Sequence, residues 1–335
     1  MYTSHEIRIY DRNFNKKDIA SVDSDSVANK IDYLTLAPSI MTIPKIVNVG
    51  FEDYIYSDSI QGIVNSVDYI DGKTIIVFLP MLSLLDVTAF YDRGLLGSSL
   101  LDFFGNMIDS TLKSNADDSQ NIPGLEILNF STVVDVSNAT LNIVDNVNNI
   151  YELAVKAFNK YRLVVDVDLQ PEDKRIVVSL KINQNERYIQ AKQPFVIDSE
   201  VFIQPNNQGI NKLVGVWREH EPKTYTVKKS DAQDVSRPIT EYFDGETEDE
   251  FQQNVKDRSY ELFAYDETSN YIAVVINSDS NLYSGFSIGD LTTIRHENVE
   301  YAALLTQITK EAGLTTYIFG TIRLNLTDKL ILGGF

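Results

Sequence analysis

At residue 162 the spacing of apolar residues changes from a helical period to a strand period, and no other feature of the chain constrains its fold as tightly. Before it, Val144, Val147, Tyr151, Ala154, Val155 and Phe158 share one face of a helix expected over about 142–161. After it, Leu163, Val165, Val167 and Leu169 alternate with Val164, Asp166, Asp168 and Gln170. Beyond the polar turn Gln170-Pro171-Glu172-Asp173-Lys174, Ile176, Val178, Leu180 and Ile182 alternate in the same way. Two runs of period two joined by a short polar turn specify an antiparallel hairpin with one face buried. A helix leading straight into a half-buried hairpin is an α+β arrangement. The asparagine-rich start of the helix has poor propensity, so its first turn is not fixed by the pattern.

The flanks read differently. Up to residue 93 the chain is mostly strand and turn. Val64–Ile70 and Lys73–Phe78 are joined by Asp71-Gly72, whose tolerance of positive φ favours a tight primed hairpin turn. Pro38, Pro44 and Pro80 suit turns and strand edges. Residues 15–30, rich in Lys, Asp and Ser, are expected to form a solvated loop. Leu100, Phe104, Met107, Ile108 and Leu112 predict a helix over 99–113, capped by Ser99 with Asp102, and a polar loop follows to 124. Residues 190–243 are strand-like but irregular, with a turn at 206–209. Thr247-Glu248-Asp249-Glu250 caps a helix that uses Phe251, Val255 and Leu262. Strands return at 271–276, 291–295, 301–308 and 315–319, the last two pairing around Lys310–Gly313.

At 335 residues the chain can form two or three domains. The divisions are a β-rich domain at 1–93, an α/β middle domain at 94–184 with 225–268 as a candidate to pack on it, and a second β-rich domain from 185–224 and 269–335.

Composition removes several function classes. The chain has no cysteine, so disulfides, thiolate metal sites and a cysteine nucleophile are excluded. A net charge of −19 argues against a surface that grips nucleic-acid phosphates. The most apolar stretch, Ile75–Leu85, is far too short to span a membrane and runs into Asp86. The segment Met1–Arg8 lacks the apolar core of a secretory signal, which implies synthesis in a cytosol.

No catalytic constellation is visible. His5, His220 and His296 are isolated, and none has a second histidine at metal-ligand spacing. The chain contains no Gly-x-Ser-x-Gly elbow, and Gly94–Gly97 lacks the Lys-Ser/Thr ending of a phosphate loop. Counted as a calcium loop from Asp166, the sixth and twelfth positions hold Pro171 and Val177 where Gly and Glu are required. The acids from Asp244 to Glu250 sit at a helix start, where the dipole favours them without a ligand. Trp217, in Leu213–Arg218, reads as core or interface. The expectation is a non-enzymatic protein with no catalytic, cofactor-binding or metal-ligating residue and no cofactor. Carboxylates brought together by folding are the enzymatic alternative.

Three segments carry a resemblance. The run Tyr283-Ser-Gly-Phe286-Ser-Ile288-Gly289-Asp290-Leu291-Thr-Thr-Ile294, followed by Glu300–Ile308, resembles the strand, Gly-Asp, strand step near the end of phage tail-tip hub proteins. The helix of 142–161 entering the hairpin 162–182 resembles the middle domain of that family, and Glu6–Asn15 resembles its opening. These are the Tal-type proteins of long non-contractile tails, similar to the baseplate hub of contractile tails. The resemblance covers essentially the whole chain. It implies two barrel-like β-rich domains at the chain ends flanking a helix-plus-hairpin middle. It further implies a homotrimer that closes the distal end of the tail tube beneath a distal tail protein ring and opens for DNA passage. The tape measure protein is an implied partner and receptor-binding proteins are candidates. DNA would pass without specific binding, which an acidic chain suits. The location implied is the virion tail tip, after assembly in the bacterial host cytoplasm. Because the chain stops at Gly333-Gly334-Phe335, the short form without a lytic extension is expected. The alternative within the same machinery is a receptor- or carbohydrate-binding baseplate protein, motivated by 18 Tyr and 16 Phe.

Overall fold

The computed structural model describes residues 4–90, 99–129, 147–190, 196–203, 211–218, 223–228, 238–263, 270–277, 285–296, 299–311 and 313–320. Among these residues strand exceeds helix, 54% against 21%, so the class is α+β with strand dominant.

Seven strands come first: β1 (Ser4–Tyr10), β2 (Lys16–Asp23), β3 (Val27–Asp32), β4 (Ser39–Ile43), β5 (Tyr54–Tyr56), β6 (Gln61–Ile70) and β7 (Lys73–Leu79). They pair antiparallel in the order β3-β4-β7-β6-β5-β1-β2 around Ile7, Ile9, Val22, Met41, Ile43, Ile55, Ile76 and Phe78. Asp71 and Gly72 both have positive φ, 49° and 73°, and close β6 onto β7 as their residue types require. The expectation of a loop at 15–30 is wrong: β2 and β3 occupy it. Ala20 and Val22 are the buried residues of β2, while Lys16, Ile19, Ser21 and Asp23 are exposed and Lys17 and Asp18 are half-buried. A strand that buries so little apolar surface shows a weak pattern in the sequence. Across the rim, Lys45 Nζ donates to Ile19 O at 2.7 Å and Asn48 N to Asp18 Oδ2 at 2.9 Å. These are side-chain bridges in place of a strand ladder, so no closed barrel forms among the described residues.

The middle contains β8 (Thr88–Phe90), α1 (Leu100–Leu112), β9 (Leu125–Asn129), β10 (Val147–Asn149), α2 (Ile150–Tyr161), β11 (Leu163–Gln170) and β12 (Arg175–Ile182). The hairpin has the expected register, from Leu163 opposite Ile182 to Gln170 opposite Arg175, and β9 adds parallel to β12. Ser99 Oγ accepts from Asp102 N at 3.1 Å, as the capping pattern requires. The second helix starts later than its apolar spacing suggests. Residues 147–149 pair with β8, and Asn149 caps α2 by accepting from Glu152 N at 3.1 Å. Residues 142–146 of the expected helix lie outside the described residues. Asparagine favours caps over helix interiors, so the Asn-rich run supplied the start signal and not the first turn.

The remainder comprises β13 (Glu186–Gln190), β14 (Val196–Ile203), β15 (Lys212–Trp217), β16 (Thr224–Lys228), β17 (Pro238–Phe243), α3 (Glu248–Phe263), β18 (Asn270–Asn277), β19 (Leu291–His296), β20 (Val299–Glu311) and β21 (Leu314–Phe319). β15, β16, β17 and α3 have a core of their own, Leu213, Trp217, Phe251 and Val255. A boundary at 224/225 falls inside β16, just after its first residue, and leaves its hydrogen-bonded neighbour β15 on the other side. The turn expected at 206–209 falls outside the described residues. The other strands surround Ile189, Ile272, Val274, Ile294, Leu305 and Phe319. The long β20 pairs with β19 through 299–304 and with β3 through 307–310, and β21 lies along 305–311. The β3–β20 ladder thereby joins the N-terminal and C-terminal strands into one sheet of 13.

Candidate functional site

The most elaborate chemistry among the described residues is a junction where the N-terminal sheet, the middle layer and the C-terminal sheet meet. Tyr33, just after β3, touches all three. Its amide donates to Thr306 O of β20 at 3.1 Å, and its carbonyl accepts from the Tyr151 hydroxyl of α2 at 2.9 Å. Its ring lies 4.5 Å from that of Phe158. Its hydroxyl accepts from Val165 N at 2.9 Å and donates to Leu163 O at 3.5 Å. Burial pushes the Tyr33 phenol far above its usual range, so it keeps the proton it donates. Further along β11, Gln61 Oε1 accepts from Leu169 N at 2.8 Å, and Gln61 Nε2 donates to Asp168 at 2.7 Å. β11 is an edge strand of its three-stranded sheet, and side chains of the N-terminal unit take up its outward Leu163 O, Val165 N and Leu169 N.

Asp290 is the second element of the junction. It is fully buried, and its carboxylate accepts from Asn183 Nδ2 (2.9 Å), Asn185 Nδ2 (3.2 Å), Arg187 Nε (3.2 Å), Ser287 N (3.1 Å) and Ser287 Oγ (3.2 Å). Burial alone would raise its pKa. The hydrogen bonds from Asn183, Ser287, Asn185 and Arg187 outweigh that and hold the carboxyl below its usual range. Its backbone joins β20, since Leu305 N donates to Asp290 O and Gly289 N donates to Leu305 O. Gly289 has φ +84°, and a Cβ there would stand 2.7 Å from Val164 Cγ2 of β11. Both the left-handed backbone and the close approach require glycine. The Gly-Asp pair singled out in the sequence is therefore a joint. It is preceded by turn residues 285–288 where a strand was expected, while Tyr283 and Ser284 fall outside the described residues.

A cleft of about 420 Å³ opens beside the junction, lined by Ile31, Asp32, Gln61, Asp166, Lys181 and Ile308 among others. Asp32 is committed to the fold. Burial pushes its carboxyl up, against hydrogen bonds from Thr35 Oγ1 (2.5 Å) and the amides of Leu34 (2.9 Å) and Thr35 (3.2 Å). A second cleft, about 690 Å³, lies between the N-terminal sheet and the middle layer. Of the histidines, His5 sits between Ser24 and Ser59, His296 ends β19, and His220 is outside the described residues. Among the described residues no three His, Asp or Glu are grouped to hold a metal ion. Trp217 stacks on Phe251 at 5.3 Å and donates to Gly245 O at 3.0 Å, which makes it core.

No family model matches the sequence, and no curated protein matches it. Solved structures do. The 43 kDa tail protein of prophage MuSo2 from Shewanella oneidensis superposes with a TM-score of 0.60 at 11% identity, over 94% of this chain and 98% of its own. The tail protein from Neisseria meningitidis gives 0.58 at 10% identity, over 95% and 97%. Prophage tail protein gp18 from Listeria monocytogenes gives 0.55 at 12% identity, over 97% of each chain. The fold is that of the prophage tail proteins. At such low identity the likeness is one of fold, and it extends over nearly the whole length of each chain. Sequence reasoning missed Tyr33, Gln61, Asn183, Asn185 and Arg187. The run Asn183–Arg187 did carry a signal, a polar segment directly after a buried strand, but its partners lie about a hundred residues away.

Proposed function

We propose that this protein is a structural component of a phage or prophage tail. In this reading it is the tail-tip hub, a homotrimer closing the distal end of the tube and opening for DNA passage. The observation that carries the proposal is the full-length likeness to three prophage tail proteins, 94 to 97% of this chain against 97 to 98% of theirs. The sheet supports it further. Two β-rich regions, one from each part of the chain, abut through β3 and β20, and each contributes a hairpin to the join, β3–β4 and β20–β21. Such a subunit presents two β units side by side, so three copies would offer six surfaces to a ring beneath the tail tube. The division into two barrel-like β domains and an α/β middle belongs to this proposal. So do the distal tail ring and tape measure protein as partners, and the tail tip as location. The reading assigns no catalytic, cofactor-binding or metal-ligating residue. A net charge of −19 suits a lumen that must not retain phosphates.

Light scattering on the purified chain tests the proposal, together with negative-stain imaging. The expected result is three chains per particle, a threefold axis with a sixfold-like ring at one end, and a buried interface above about 2,000 Å². A stable monomer at micromolar concentration that ignores a distal tail partner overturns it.

A further inference from the structure

Among the described residues, the unit formed by β15, β16, β17 and α3 covers one face of its sheet. Leu213, Trp217, Tyr225, Val227, Ile239 and Phe243 face α3 or its core. The strand registers arrange the opposite face as three rows: Lys228–Lys212–Pro238, Thr226–Val214–Thr240 and Thr224–Val216–Tyr242. Val214 and Val216 form its centre, and Tyr242 is 65% exposed beside them. These nine positions hold no carboxylate, in a chain with 48 acidic residues against 29 basic ones. Neither Lys212 nor Lys228 has an ion pair among the described residues. An apolar centre with two free lysines at one end is a surface that complements an acidic partner.

The same unit carries such a partner surface where it cannot reach its own lysines. Asp244, Glu246, Glu248, Asp249 and Glu250 are all exposed at the start of α3. Glu248 is engaged by Lys223 at 2.6 Å and Asp244 by Arg218 at 3.7 Å. Glu246 and Asp249 have no ion pair among the described residues. This turn follows the end of β17, whereas the lysine row lies at its beginning. It also lies on the helix side of the sheet, about 17 Å away along the strand. We infer that the open face of the β16-β15-β17 sheet docks against the acidic first turn of α3 in a second copy of this chain. Two complementary patches on opposite sides of one unit make a head-to-tail contact, which generates a closed ring when the rotation permits. The inference rests on the trimer reading and names the surfaces that join its subunits.

The test is light scattering of the full chain across a dilution series at low ionic strength. The variants are Lys212→Glu with Lys228→Glu, Glu246→Lys with Asp249→Lys, and all four together. Each reversed pair should raise the concentration at which the assembly dissociates by about tenfold or more, and the fourfold variant should return toward wild type. Circular dichroism confirms that each variant is folded. Tyr242→Glu, at an exposed position, gives an independent reversal in case a lysine variant fails that control. An undisturbed trimer in every folded variant overturns the docking surface and leaves the trimer standing. A fourfold variant that stays dissociated overturns the pairing of these two patches. A wild-type chain that is monomeric throughout overturns both the docking and the trimer.

Discussion

The middle layer is attached to its two neighbours in opposite ways. Against the N-terminal sheet it shares one apolar core, in which Tyr10, Phe14, Tyr33 and Tyr54 mix with residues of α1, α2, β11 and β12. Against the C-terminal sheet that core reaches the buried Leu304 and the half-buried Ile288 and Leu291, and the Asp290 hydrogen bonds add a polar connection that the other side lacks in this form. An apolar joint derives its strength from area and sets no unique angle, whereas a buried polar joint is directional and fails when one member is lost. The N-terminal and middle parts should therefore unfold together, with the C-terminal strands, held by the Asp290 bonds and the short β3–β20 ladder, as the part that opens first.

The largest effect should come from the apolar joint. Phe158→Ala removes a fully buried ring packed on Tyr33 and should cost about 4 kcal/mol. In hydrogen exchange, β1–β7 and β11–β12 should lose protection together; loss in β11–β12 alone would break the comparison. Asp290→Ala removes the buried acceptor shared by Asn183, Asn185, Arg187 and Ser287 and should cost about 3 kcal/mol. Its exchange signature should appear in β19 and the first half of β20, with the N-terminal sheet unaffected. Acid should act at the same place. Because Asp290 has its pKa lowered by folding, its contribution is complete above the ordinary carboxylate value of about 3.9 and is lost as pH falls below it. Proteolysis near 285–296 should rise in that window, and Asp290→Asn should flatten the dependence. The smallest effect sharpens the picture at Tyr33. Tyr33→Phe keeps the ring but leaves Val165 N without its partner, and chemical denaturation should report a loss of about 1–2 kcal/mol.

The hairpin at 163–182 was legible because its alternation is strict and its partner strand is adjacent in sequence. The β6–β7 turn was legible because Asp71-Gly72 names its own backbone geometry. Both cap signatures, at Ser99 and Thr247, were legible for the same local reason, and Glu250 N donates to Thr247 Oγ1 at 3.2 Å. β2 was not legible, since a strand facing its core with Ala20 and Val22 looks polar in one dimension. The joints were beyond reach for a different reason. Nothing about Tyr33 or Gln61 announces that its side chain will complete the edge of a strand more than a hundred residues later. Gly289-Asp290 was noticed as a pattern, but its chemistry depends on Asn183, Asn185 and Arg187, which periodicity does not connect to it.

The side-chain caps on β11 carry a consequence for a protein that works in multiple copies. A bare strand margin in a crowded assembly can recruit the wrong neighbour and seed runaway stacking. Here the phenol of residue 33 and the amide of residue 61 occupy that margin, and both are translated before the strand they shield. The two groups that close this margin come from the same chain as the strand itself, so no sister copy has to supply them.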